Sequence, residues 1–113
     1  MTAQEAINNH DVFTSSYVVK KHYSLCKSVT QYIIEILTLK AKQQQIEIAL
    51  NTKILNHQAS SDSIKDANFV IQKYNDEMLS CCNHLENLLK DYTLEYFLNL
   101  IPKKGDTKWE NYY

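Results

Sequence analysis

The chain has 113 residues, a net charge of −1 and an apolar share of 44%, which suits one folded domain and argues against a disordered chain. It has one Gly and one Pro, where average usage is roughly 7% and 5%, so sheets and loop-built active sites lack their turn residues and the fold class is read as all-α. All twelve basic residues are Lys, and without the bidentate fork of Arg for phosphate and guanine edges, nucleic acid is disfavoured as the main ligand.

The first residues, MTAQEAINNHD, show neither the basic nor the apolar region of a secretory leader, and the longest apolar run is too short to span a bilayer. Three Cys form an odd count without framework spacing. Reduced thiols at an intracellular site, cytoplasmic or nuclear, are the simplest expectation.

Thr2 followed by Glu5 has the spacing of a capping box and opens a short helix over about 2–9. Asn8, Asn9 and His10 read as a break, with Asp11 or Ser15/Ser16 as the next N-cap. A frayed N-terminal arm is the alternative.

A helix is then predicted over about 16–56. One seam runs Val18, His22, Leu25, Val29, Tyr32, Ile36, Leu39, Gln43, Ile46, Leu50, beside a second column of Val19, Cys26, Ile33 and Ile54. Ile34, Leu37, Ile48 and Leu55 widen the apolar surface beyond what one partner helix covers. The polar segment 56–63 marks a turn, with Asp62 or Ser63 to cap the following helix. That helix is predicted over about 63–101, on a heptad seam from Ile64 through Ile71, Met78 and Leu85 to Tyr92, and Pro102 ends it.

Two long helices of matching length with a short connection predict an antiparallel, coiled-coil-like hairpin, roughly 60 Å long at 1.5 Å per residue. A fold point near residue 60 pairs Cys26 with about residue 94, Cys81 with about residue 39, and Gln43 with about Glu77. A buried Gln43 would specify register or partner at some cost in stability, whereas an exposed one is neutral.

His22 with Cys26, and Cys81 and Cys82 with His84, have thiol and imidazole groups at helical spacing, but the pairing separates the two clusters by roughly 20 Å along the axis. No metal site, cofactor or disulfide is expected, and the thiols read as packing residues. His22 on the seam is either a pH-sensitive group or a half-exposed packing residue. No phosphate loop, nucleophile elbow, His–Glu zinc motif or Glu-x-x-His pair is present, so no catalytic residue is assigned.

The end of the second helix, with Tyr92, Tyr96, Phe97 and Ile101, is the most aromatic part of the chain and reads as a local core or a partner patch. The tail 103–113 carries Trp109, Tyr112 and Tyr113, which either fold back onto the open end of the hairpin or dock as a linear motif. Ile33, Leu37, Gln43, Tyr92, Tyr96, Phe97, Ile101, Trp109 and Tyr112 are therefore the candidate partner-binding residues.

A lone hairpin cannot enclose the apolar width counted above, so a homodimeric four-helix bundle or a hetero-oligomer is expected. The function expected is that of a non-enzymatic scaffold or adaptor subunit of an intracellular assembly. A small helical regulator that masks one target, such as an inhibitor, immunity protein or secretion chaperone, is the alternative.

Overall fold

A computed structural model describes residues 1–103. The tail readings, including Trp109 and Tyr112, lie outside the described residues. The element order is α1 (Ala3–Asn8), a 3-10 helix (His10–Thr14), α2 (Ser16–Lys21), α3 (Tyr23–Leu55), α4 (Ser61–Leu88) and α5 (Leu94–Leu98). There is no strand among the described residues, and α3 and α4 pack antiparallel as the arms of a helical hairpin. The long axis measures 66 Å.

The N-terminal arm is folded rather than frayed. Thr2 and Glu5 form the capping box: Glu5 N–H donates to Thr2 Oγ1 (3.1 Å) and Thr2 N–H to Glu5 Oε1 (3.2 Å). The Thr2 N–H, together with the Thr2 hydroxyl that donates to the same Oε1 (3.1 Å), holds the Glu5 carboxyl below its usual range by favouring its charged form. Ala3 and Ala6 then pack against the fold, with Ala3 N–H donating to Glu86 Oε2 on α4 (3.0 Å).

Both long predicted helices are interrupted near the open end. The helix expected over 16–56 breaks at His22, whose backbone (φ −130°, ψ 53°) leaves the helical region between α2 and α3. The helix expected over 63–101 stops at Leu88, and α5 restarts after Thr93, whose side chain accepts from Tyr96 N–H (3.1 Å). The carbonyls of Leu89 and Tyr92, at the end of α4, accept from the Met1 ammonium at 3.3 and 2.9 Å. A cation at a helix C-terminus is favoured by the orphan carbonyls and the helix dipole.

The hairpin turn achieves its reversal without glycine. His57 N–H donates to Ile54 C=O (3.1 Å) and Gln58 N–H to Lys53 C=O (2.8 Å), the two bonds of a Schellman motif. His57 holds the left-handed position at φ 56°. Helix α4 starts two residues earlier than expected, because Ser60 is the cap and accepts from Ser63 N–H (3.1 Å). Asp62, the expected cap, instead sits in the first turn, where its charge faces the positive end of the helix dipole.

Burial is uneven along the hairpin. Fully buried residues of α3 stop at Leu39 and those of α4 begin at Cys81, and none lies in between. At the open end α1, the 3-10 helix, α2 and α5 add further layers, so Phe13, Val18, Val29, Leu85 and Phe97 lose all or nearly all contact with water. In the distal half, among the described residues, only α3 and α4 meet, and Ile46, Leu50, Ile64, Ile71 and Met78 remain half-buried.

The left-handed turn residue gives the first prediction. His57→Gly removes the steric cost of a Cβ at positive φ and raises stability by about 1 kcal/mol, whereas the β-branched His57→Val lowers it. Thermal unfolding followed by circular dichroism reads both shifts, and equal melting temperatures for the three proteins would contradict the strained turn.

Candidate partner-binding surface

The open end is knitted together by His22. The break in the helix at this residue seats the imidazole among Tyr92, Tyr96 and Phe97, with ring centroids at 5.6, 5.6 and 5.8 Å. His22 Nε2 lies 2.7 Å from the Tyr96 hydroxyl, the donor being set by the tautomer. On the far side, Phe97 meets Phe13 edge-to-face at 5.2 Å. A residue from each end of the sequence thereby closes on the hairpin.

This arrangement decides where the expected partner residues stand. Phe97 is fully buried and Tyr92, Tyr96 and Ile101 are half-buried against the core, so the aromatic end of the chain serves as its own local core. Ile33 is also buried in that core. Gln43 is half-buried and donates to Ile71 C=O (3.2 Å) and Asn75 Oδ1 (2.6 Å) on α4. Its partners lie two to six residues before Glu77, because the hairpin folds closer to residue 58 than to residue 60. The stacking of Tyr32 on His84 (5.6 Å, 18°) has the same register. Of the expected partner residues on α3, Leu37 alone is exposed.

Leu37 belongs to a longer feature. At about 100° per residue, Ile34, Leu37, Ala41, Ile48 and Leu55 fall within about 60° of one another on the side of α3 opposite the seam with α4. Ile34, Ile48 and Leu55 are 58%, 66% and 79% exposed. Tyr23, 66% exposed, starts the same stripe at the open end.

There the stripe runs into an apolar groove of about 350 Å³ between the N-terminal arm and α3, walled by Phe13, Val19, Tyr23 and Cys26. A smaller hollow of about 90 Å³, between His10, Ile33, Ile34 and Leu37, shares Thr14 and Thr30 with it. The groove itself was not legible in the sequence, since it needs Phe13 of the arm to stand beside α3. Tyr23 was legible in principle, as it precedes Thr30, Ile34 and Leu37 at the same spacing of threes and fours.

The thiols do not converge. Cys81 faces Glu35 and not Leu39, which places it about nine residues, roughly 14 Å, from the level of Cys26. Among the described residues no group of three or more His, Cys, Asp or Glu side chains is placed to hold a metal ion. Burial pushes all three thiols above their usual range, with the charge of Glu35 adding to it at Cys81 and that of Glu86 at Cys82. No helix among the described residues is long and apolar enough to cross a membrane. No family model matches the chain, and no curated protein or solved structure matches it significantly.

Two outcomes are expected at this end of the molecule. Tyr96→Phe, which deletes only the hydroxyl, costs about 1 kcal/mol, and His22→Ala costs more, about 2–3 kcal/mol, because it also empties the aromatic cage. Urea unfolding of both variants checks the order, and a larger loss for Tyr96→Phe would contradict it. Because a raised pKa lowers the thiolate fraction, native alkylation by iodoacetamide near pH 7.5 is slower than in urea at all three thiols. Half-buried Cys82 reacts ahead of buried Cys26 and Cys81, as mass spectrometry of the labelled peptides resolves.

Proposed function

We propose that this protein is a non-enzymatic helical interaction module, a small scaffold or adaptor subunit of an intracellular assembly. The observation that carries this reading is the exposed apolar stripe of α3. A side chain such as Ile48 or Leu55 gains about 1.5–3 kcal/mol on full burial, and the fold of this chain leaves both mostly in water. Exposed apolar residues scattered singly need no explanation, but a column of them in register along one helix is the form that an interhelical seam takes.

The uneven core supports the same reading. Among the described residues the distal half of the hairpin has two layers, and an apolar gap of about 150 Å³ between Ile46, Leu50 and Ala67 remains open there. A further helix along the hairpin would add the layer that the open end already has from its own arm.

The test compares a stripe variant with a core variant in the isolated chain. Ile34→Glu with Leu37→Glu changes its stability by less than about 1 kcal/mol, since surface substitutions away from packed sites fall within about ±0.5 each. Leu85→Ala, which opens a cavity at a fully buried site, costs about 2–5 kcal/mol. Light scattering and circular dichroism across concentrations check both. A chain that is a sharply melting monomer, and whose stripe variant loses nothing in affinity capture from its own cell, would overturn the proposal.

A further inference from the structure

The stripe has an electrostatic character that narrows its occupant, given that it is an interface at all, as the functional reading above requires. Helices α2 and α3 carry six Lys (20, 21, 27, 40, 42, 53) against two acids, Glu35 and Glu47. All eight are exposed, and among the described residues none of the six lysines takes part in an ion pair. At about 100° per residue, Lys27 lies about 20° beyond one edge of the stripe and Lys40 about 60° beyond the other, while Glu47 and Glu35 lie about 80° and about 100° beyond an edge. Lys27 is also part of the wall of the apolar groove, and Lys20 and Lys21 close α2 just beyond Val19. On the arm, Asp11 is already held by His10 Nε2 at 3.1 Å.

We infer that the stripe from Tyr23 to Leu55 receives an amphipathic helix of another protein, one whose apolar seam is flanked by Asp and Glu, with a bulky apolar side chain seated in the groove beside Phe13. Such a partner satisfies both halves of the surface. Its seam covers Ile34, Leu37 and Ile48, and its acids meet Lys27 and Lys40 at the flanks, where charge sets partner choice and orientation. Lysine stems also lie over the apolar rim and carry their ammonium groups to the edge of the contact.

A second copy of the chain is the poorer fit. A parallel pairing sets the flank that carries Lys27 in one copy along the flank that carries Lys40 in the other. The antiparallel pairing that aligns Leu37 with Ala41 and Thr30 with Ile48 is centred at residue 39, and it brings Lys40 against Lys40 of the other copy. Like charges across a helix pair work against that state, which is how coiled coils reject wrong partners.

The experiment uses the full chain and two labelled synthetic helical peptides of about four heptads. Both carry Leu at the seam positions; one has Glu at every flanking position and the other Lys. Fluorescence anisotropy is expected to show the Glu peptide binding about tenfold or more tightly than the Lys peptide at low salt, with the difference shrinking at high salt. Ile34→Glu with Leu37→Glu abolishes binding, Lys27→Glu with Lys40→Glu reverses the preference, and Phe69→Glu on the outer face of α4 changes neither.

Equal binding of both peptides would overturn the acidic-flank inference and leave the interaction module standing. Binding of neither, by a chain that stays monomeric, would overturn both. A dimer lost on the Ile34/Leu37 substitution would assign the stripe to a second copy. Binding of phosphatidylserine vesicles that the same substitution abolishes, with no peptide bound, would assign it to a membrane surface. Each of these last two also overturns the inference.

Discussion

Two helices that touch along one line can dehydrate only the strips that face each other, and this constraint governs the whole hairpin. A helix of the length of α3 with apolar residues on one side is satisfied by α4, but its apolar residues occupy more than one side. What lies beyond the contact line needs a third element or stays wet. At the open end the chain supplies that element itself, folding the 3-10 helix and α2 over α3, laying α1 against α4 and bringing Phe97 of α5 onto Phe13. In the distal half no further element among the described residues provides such cover, and burial there never becomes complete.

The supply of cover at the open end depends on interrupting both long helices. An unbroken helix through His22 would carry the N-terminal segment straight past the hairpin. The break turns it back, so Val18 and Phe13 reach the core. The complementary break at Leu89–Thr93 lets Phe97 point inward to Phe13, and the exposed carbonyls are met by the Met1 ammonium. Each break loses helical hydrogen bonds, worth about 1 kcal/mol net apiece, and gains apolar burial worth about 1.5–3 kcal/mol per large side chain. The exchange favours the break where Phe13 and Phe97 lose essentially all exposure.

The same logic separates structural aromatics from those open to a partner. Tyr92, Tyr96 and Phe97 have the composition of a binding patch but are used at home, since His22 and the arm fill the space before them. The exposed stripe on α3 is mostly aliphatic, and the lysines nearest its edges have no carboxylate partners among the described residues. Gln43 sits at the transition between the two halves, and its bonds to Ile71 and Asn75 hold the register where side-chain packing thins out.

The sequence alone determined that the chain is helical and that two long helices pair antiparallel across the polar turn at 56–63, with a fold point near residue 60 that the structure moves to about 58. Helical period, the near absence of Gly and Pro and the polar turn are local properties, readable without knowing what lies opposite. It also exposed the surplus of apolar residues on α3, with Ile34, Leu37, Ile48 and Leu55 already outside the seam. The sequence did not disclose the breaks at His22 and Leu89, because neither has a Gly or Pro and each is bonded to residues 74 or more positions away. Nor did it disclose which apolar residues the arm covers, and therefore which of them face outward. That division was decided by tertiary structure, because burial belongs to what stands in front of a side chain and not to the side chain itself.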